Sequence, residues 1–160
     1  MAERPLRGIH VRPIGWVENE RCDRGEDRWG GVVSTVVLDP AQFDERAVRG
    51  LEDFSHVEIL FHFHGTPAIE ECRSTRHPRG DPRWPAVGIF AQRGAARPNR
   101  LGVTRCRLVR IDGLRVTVDG LDALDGTPVI DLKPYMEEFG PRGPVRQPPW
   151  THELMQGYYD

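Results

Sequence analysis

The sequence predicts a mainly β fold, a small antiparallel β-barrel with one short packed helix and a long flap loop. Several segments alternate apolar and polar residues or are rich in β-branched residues, as strands are. Only one stretch has helical spacing, and one long polar stretch is interrupted by prolines. A chain of 160 residues can bury a real core in one domain. We therefore expect a single domain over 1–160, with its core at about 9–135 and a tail at 136–160.

Two strands are predicted ahead of the helix. Residues 8–17 (GIHVRPIGWV) alternate imperfectly, and Pro13 places this strand at an edge or a bulge, because proline cannot donate a ladder hydrogen bond. A charged, glycine-rich connection follows. Residues 32–39 (VVSTVVLD) are rich in valine, which predicts a strand buried on both faces.

The helix is predicted over residues 40–54. Asp39 is a suitable N-cap, Pro40 suits the first helical position, and Gln42 completes a capping box. Apolar residues then recur at helical spacing as far as Phe54. This amphipathic helix should pack on the sheet.

A half-buried strand and a flap come next. In residues 55–64 (SHVEILFHFH) the apolar side chains fall on one face and most of the polar ones on the other, which is typical of an antiparallel strand. Residues 65–85 are polar and contain four prolines. Because a loop this long in a compact domain usually has a function or is disordered, we expect a mobile flap.

Three more strands are predicted after the flap. Residues 86–92 (AVGIFAQ) indicate a short core strand, and residues 101–111 (LGVTRCRLVRI) a longer one. The dipeptide Asp112-Gly113 joins the longer strand to residues 114–120 (LRVTVDG). It is typical of a tight hairpin turn with two positive φ values.

Composition excludes several classes of protein. With 22 basic and 24 acidic residues the net charge is −2, so nucleic acid would have to bind a local basic patch. We expect no membrane span, because no run of about 18 apolar residues is present. The cysteines are odd in number and far apart, which favours reduced thiols in a cytoplasmic protein: Cys22, Cys72 and Cys106.

Four polar residues near the flap are candidate metal ligands: His56, Glu58, His62 and His64. Two imidazoles on one strand face can bind the same cation. The alternative is a solvated or lumen-facing strand surface. No other compact cluster of histidines or carboxylates would complete a metal site, so we expect none.

Three later segments carry candidate binding groups. Residues 93–100 (RGAARPNR) offer guanidinium forks for a carboxylate or phosphate, or they form a solvated loop. In residues 120–128 (GLDALDGTP), Asp122 and Asp125 suit either the two hydroxyls of a ribose or the capping of their own turn. Residues 131–135 (DLKPY) contain the only lysine of the chain.

These segments resemble a known family. The residues AVRGLEDF, FSHVEILFHFH, VGIFAQR, RPN, LGVT and GLDALDGTPVIDLKPY are similar, in this order, to the TsaA-like or TrmO-type S-adenosylmethionine-dependent tRNA methyltransferases. The likeness extends over about 9–135. It implies a dimeric β-barrel that binds S-adenosylmethionine and methylates the exocyclic nitrogen of threonylcarbamoyladenosine in tRNA.

The resemblance also implies a cofactor site. The cofactor-binding residues would be Trp29, Gly30, Gly31, His64, Gly65, Arg93, Val103, Asp122, Ala123, Leu124 and Asp125. The candidate catalytic residues are Asn99, Asp131, Lys133 and Tyr135. Of these, Asp131 or Tyr135 would accept the proton that the nitrogen loses.

The sequence departs from the family at several positions. Many members have Pro-Arg-Gln where this chain has RWGGVVS, so Trp29 to Gly31 either replace that cofactor contact or abolish it. The family motif RPNP is RPNR here, Gly94 stands where serine is usual, and the C-terminal extension of some members is absent. The alternatives are therefore a methyltransferase for another small or nucleoside-containing substrate, or a non-catalytic barrel that binds S-adenosylmethionine or metal.

Binding of tRNA would require a local basic patch. Arginines of the flap and of residues 93–100 are the candidates, and Trp84 is placed to stack on an unpaired base. The alternative is that arginine simply fills solvated loops. The residues concerned are Arg73, Arg76, Arg79, Arg83, Arg97 and Arg100.

Overall fold

The computed structural model describes residues 7–160, and its central feature is a closed β-barrel. The strands are β1 (Gly15–Glu18), β2 (Val33–Leu38), β3 (His56–His62), β4 (Thr75–Arg76), β5 (Val87–Gly88), β6 (Leu101–Asp112), β7 (Arg115–Asp119) and β8 (Pro128–Pro134). Six of them close the barrel in the order β1-β2-β7-β6-β3-β8, and β4 pairs with β5 beside it. The predicted mainly β fold and small antiparallel barrel are confirmed. The first six residues of the predicted domain lie outside the described part of the chain.

Strand pairing determines which loops meet at each end of the barrel. Every neighbouring pair of strands is antiparallel. β1, β3 and β7 therefore end where β2, β6 and β8 begin, and we call this the upper end. Residues 19–32, 63–100 and 120–127 connect strands there. The hairpin between β6 and β7 lies at the opposite, lower end.

Apolar side chains that point inward fill the barrel. Val57, Ile59 and Phe61 of β3 are fully buried, which confirms the half-buried strand. Along β2, buried residues such as Val36 and Leu38 alternate with partly exposed ones. The prediction that both faces of this strand are buried is wrong, because each strand of a single-layer barrel has only one inner face.

The hairpin between β6 and β7 is present, but its turn lies one residue later than predicted. Asp112 pairs with Arg115, so Gly113 and Leu114 form the two-residue loop. Of the described residues in this turn, Gly113 alone has a positive φ, at 56°. A glycine at the first loop position is typical of a type II′ turn, which needs one positive φ instead of two.

The helix predicted over 40–54 is wrong. Short 3-10 turns form at Glu45–Val48 and Leu51–Asp53 and are separated by Gly50, whose φ is 85°. A left-handed residue cannot continue an α-helix, although Asp39 does accept hydrogen bonds at the start of the segment. Apolar residues of both turns still pack into the core.

The flap has more structure than its prolines suggest. Residues 65–85 contain 3-10 turns at Ala68–Glu70 and Pro78–Gly80 as well as β4. Of the core strand predicted over 86–92, only β5 forms. It is short because β4 offers two residues for pairing, after which the chain turns at Ile89–Ala91.

The α-helix of the described residues, α1 (Pro149–Leu154), lies in the predicted tail. It was not predicted from the sequence. Across residues 7–160, no helix has both the length and the apolar character needed to cross a membrane.

Gly15 starts β1 later than predicted and lies very close to β2. A Cβ atom at this position would be 2.0 Å from the carbonyl oxygen of Val37. We expect Gly15→Ala to lower the free energy of unfolding by about 1–3 kcal/mol, the usual cost of overpacking. Gly8→Ala is the control, since no atom lies within 4 Å of the corresponding Cβ. Urea titrations that give both variants the same stability would contradict this expectation.

Candidate functional site

Four segments meet at the upper end of the barrel. We call them the connection (residues 19–32), the RPN loop (93–100), the Asp turn (120–127) and the tyrosine segment (157–160). Hydrogen bonds join the connection to both the Asp turn and the tyrosine segment.

Arg21 organises the connection. Its side chain is 14% exposed, and its guanidinium carbon lies 3.7 Å from the centre of the Trp29 ring. The guanidinium donates to the carbonyl oxygens of Gly25, Asp27 and Arg28 at 2.9, 2.7 and 2.9 Å. Because Trp29 is itself only 6% exposed, its indole is part of the packing of this loop.

Gly30 and Gly31 continue the connection along the tyrosine segment. The N–H of Trp29 donates to the carbonyl oxygen of Tyr158 at 2.8 Å. A Cβ at Gly30 would lie 1.7 Å from the carbonyl oxygen of Tyr159, and the φ of Gly31 is 73°. Gly30 is therefore favoured because a side chain would clash with the neighbouring backbone, and Gly31 because its φ is positive.

The first residues of the connection hold the Asp turn in place. The backbone N–H of Asn19 donates to Asp125 Oδ1 at 3.1 Å, and its Nδ2 donates to the Ala123 carbonyl at 2.9 Å. In return, the N–H of Asp125 donates to the Arg21 carbonyl at 3.0 Å. These reciprocal bonds fix the turn against the connection.

Asp122 accepts hydrogen bonds from two directions. The hydroxyl of Thr104, a buried residue of β6, donates to Asp122 Oδ1. The hydroxyl of Tyr158 donates to Asp122 Oδ2 at 2.5 Å. The carboxylate is thus held between the barrel and the tyrosine segment.

His64 and Gly65 lie beside the Asp turn. His64 Nδ1 and the hydroxyl of Thr127 are 3.1 Å apart. A Cβ built at Gly65 would be 3.6 Å from Leu124 Cδ1. The end of β3 and the Asp turn therefore form one continuous surface.

The RPN loop has an uncommon backbone. Asn99 and Arg100 have φ values of 62° and 47°, in the left-handed region that non-glycine residues rarely adopt. Nη1 of Arg97 donates to the Gln92 carbonyl, and Nη1 of Arg100 to the Thr66 carbonyl, both at 2.8 Å. These guanidinium groups help to shape the loop, while Asn99 is exposed on it.

Arg93 is close to both tyrosines of the tyrosine segment. It is an exposed residue, and its Nη2 donates to the Val103 carbonyl at 2.7 Å. Burial and then the Asp122 carboxylate raise the pKa of Tyr158 and of Tyr159, and the positive charge of Arg93 opposes both shifts. The upper end therefore contains every residue that the resemblance assigns to the cofactor.

The four predicted catalytic residues do not come together within one chain. Asn99 lies at the upper end, and Asp131 is within β8, where it forms an ion pair with Lys133. Tyr135 follows the far end of β8, with the Arg105 guanidinium carbon 4.8 Å from its ring centre. A seven-residue strand is roughly 20 Å long, so Tyr135 lies about that far from the Asp turn.

Two of the polar side chains of β3 have partners within the protein. His56 is bonded to Ser55, and Glu58 forms a 2.9 Å ion pair with Arg105. Over residues 7–160, no group of three or more histidine, cysteine or acidic side chains is placed to share a metal ion. All three cysteines are free.

Ion pairs neutralise much of the arginine charge in the flap. Arg73 pairs with Glu71 at 2.7 Å, and Arg83 pairs with Asp81 at 2.6 Å. Arg79 forms ion pairs with two acidic residues of the connection and so ties the flap to it. The flap therefore offers phosphates less net positive charge than its arginine content suggests.

Four residues that shape the upper end were not predicted from the sequence: Asn19, Arg21, Thr104 and Tyr158. In an arginine-rich chain Arg21 resembles any other charged loop residue, because its partners are backbone carbonyls. The paired tyrosines in GYYD were the one visible signal of the tyrosine segment.

Comparisons with known proteins find relatives of this chain. The family model described as tRNA-methyltransferase O N-terminal domain matches residues 18–140. A protein of Methanothermobacter thermautotrophicus named "Probable S-adenosyl-L-methionine-binding protein" is 37% identical over 140 residues, which are 84% of this chain and 96% of that protein. The crystal structure of TrmO from Pseudomonas aeruginosa matches with a TM-score of 0.68 at 30% identity, over 88% of this chain and 62% of that chain.

A longer relative matches about two thirds of this chain. The human protein named tRNA (adenine(37)-N6)-methyltransferase is 38% identical over 106 residues, 65% of this chain. The matched region is 23% of the human protein, so this chain spans less than a quarter of that relative. The family model covers most of the chain, and the match to the Methanothermobacter protein covers nearly the whole of that protein, so this chain belongs to the tRNA-methyltransferase O N-terminal domain family.

Proposed function

We propose that this chain binds S-adenosylmethionine at the upper end of the barrel and methylates the exocyclic nitrogen of threonylcarbamoyladenosine in tRNA. The observation that carries the proposal is that all the residues assigned to the cofactor lie at one end. The names of the relatives, an S-adenosylmethionine-binding protein and tRNA (adenine(37)-N6)-methyltransferases, support the same reaction.

The side chains at the upper end fit the chemistry of this cofactor. Arg93 offers an exposed guanidinium to the carboxylate of the methionine moiety. Asp122 and Asp125 offer acceptors to the ribose hydroxyls, because an ionised carboxylate has about four acceptor positions and these two use only some of them. The cofactor itself supplies a methyl group on a positively charged sulfur.

In the proposed reaction the acceptor nitrogen attacks the methyl carbon. A C–N bond forms as the S–C bond breaks, S-adenosylhomocysteine leaves, and the nitrogen loses a proton. In such transfers, much of the rate comes from holding the nitrogen, the methyl carbon and the sulfur in line. The hydrogen-bonded segments at the upper end suit this positioning role. Asp131 or Tyr135 as the proton acceptor stays a prediction.

We also propose that the protein is a homodimer and works in the cytoplasm. Large apolar side chains are exposed at the described surface, including Phe90 at 79% and Leu101 at 42%, and a second copy would cover part of this area. A dimer would also allow Tyr135 of one copy to approach the Asp turn of the other, which it cannot do within one chain. A single monomeric species in sedimentation velocity at micromolar concentration would contradict the dimer.

Methyl transfer to modified tRNA is the decisive test. We expect purified protein with labelled S-adenosylmethionine to methylate tRNA bearing threonylcarbamoyladenosine, as detected by nucleoside analysis. The same tRNA without the modification is the control and should stay unlabelled. Binding to tRNA should weaken with added salt, because phosphate contacts release counterions. Labelling of small metabolites without any labelling of tRNA would favour the alternative substrate class.

A further inference from the structure

The tyrosine segment touches the proposed cofactor site although it lies outside the residues that the family model matches, 18–140. Its main contact is the 2.5 Å hydrogen bond that the Tyr158 hydroxyl donates to Asp122 Oδ2. Tyr158 is partly buried there, and its ring packs edge-to-face on Tyr159 with centroids 4.9 Å apart.

The tyrosine segment packs against the connection, and we call this contact surface its seat. Arg28 and Trp29 donate their backbone N–H groups to the carbonyls of Gly157 and Tyr158 at 3.0 and 2.8 Å. Gly30 lets the two backbones approach so closely that any side chain there would clash with Tyr159. Because this contact requires glycine at position 30, we infer that the docked tyrosine segment is part of the folded structure.

The same connection also holds the Asp turn through Asn19 and the Arg21 carbonyl. The tyrosine segment, the connection and the Asp turn are therefore linked in a closed ring of hydrogen bonds. Asp122 lies within this ring, and its carboxylate is held by Thr104 on one side and by Tyr158 on the other. A carboxylate fixed by two donors keeps its remaining acceptor positions in one direction.

We propose that the tyrosine segment forms one wall of the cofactor site and that Tyr158 is a positioning residue, which holds the Asp122 carboxylate ready for the ribose. This inference rests on the proposed function. Binding of an adenosyl ligand and docking of the segment then favour each other, because coupling between two binding events is reciprocal.

Tyr158→Phe tests the hydroxyl without removing the ring. We expect it to weaken the binding of S-adenosylhomocysteine about three- to tenfold, the typical worth of one hydrogen bond. Tyr158→Phe should weaken the binding of 5′-methylthioadenosine by the same factor, because both ligands carry the ribose that Asp122 would bind. Ser55→Ala is the control, because it removes a hydroxyl that is hydrogen-bonded to His56 at the lower end of the barrel, and it should bind both ligands as the wild type does. Calorimetry measures all four affinities.

The alternative is that the tyrosine segment blocks the cofactor site and must leave before the ligand binds. Hydrogen exchange distinguishes the two. We expect S-adenosylhomocysteine to slow exchange at the amides of Arg28 and Trp29, which hold the segment. Faster exchange on ligand binding, or tighter binding after deletion of residues 157–160, would overturn the proposal. Unchanged affinity in Tyr158→Phe would overturn it as well, while wild-type protein that binds neither ligand would overturn the proposed function together with it.

Discussion

Arg21→Ala is expected to lower the free energy of unfolding by about 2–4 kcal/mol and to loosen the connection. Its guanidinium makes three hydrogen bonds to backbone carbonyls, pairs with Asp23 and stacks on Trp29. Hydrogen bonds to charged groups contribute about 1.5–3 kcal/mol each, and those made by one side chain do not add fully. Alanine would also leave the indole of Trp29 without its covering group.

Arg46→Ala is the matched control for this substitution. Arg46 also pairs with an aspartate two residues away, Asp44, but its side chain is 78% exposed, so its loss should cost about 0–1 kcal/mol. Urea titration measures the stabilities, and hydrogen exchange at the Trp29 amide reports the connection itself. If Arg21→Ala and Arg46→Ala cost the same, Arg21 does not organise the connection.

Strands were predictable from the sequence because their signal is local. The alternation in residues 55–64 places Val57, Ile59 and Phe61 on one face, and the barrel buries that face. The hairpin after β6 was predictable for the same reason, since Gly113 supplies a positive φ within the turn itself. Local patterns succeed where the side-chain period and the backbone preference agree.

The predicted helix failed where these two signals disagree. Residues 40–54 have helical apolar spacing, yet Gly50 adopts a left-handed conformation and divides the segment into two 3-10 turns. Spacing alone does not show which glycine will take that conformation, because glycine also tolerates the helical one.

The architecture of the candidate site was only partly predictable. Family motifs indicated the Asp turn and the RPN loop, because both are continuous in sequence. The seat of the tyrosine segment joins residues more than a hundred positions apart through backbone carbonyls, as in the bond from Trp29 to Tyr158. Such bonds use groups that every residue has, so no sequence pattern marks them.

Arg93→Ala is expected to weaken S-adenosylmethionine binding by about 1.5–3 kcal/mol, roughly 10- to 150-fold. The physical reason is the loss of a charge-assisted hydrogen bond to the carboxylate of the ligand. Stability should change little, because Arg93 is exposed and its guanidinium donates its hydrogen bond to a backbone carbonyl, that of Val103. Titration calorimetry and urea unfolding measure the two quantities separately.

A ligand without a carboxylate isolates the role of Arg93. 5′-Methylthioadenosine keeps the nucleoside and the S-methyl group of the cofactor, but its sulfur is an uncharged thioether and it lacks the amino-acid group, so Arg93→Ala should leave its affinity unchanged. Arg110→Ala is the matched control, an exposed arginine in the lower half of β6, and should change neither affinity. Equal losses for both ligands in Arg93→Ala would show that the substitution disturbs the site as a whole. Arg93 would then support the upper end through Val103 and the tyrosine segment instead of binding the carboxylate.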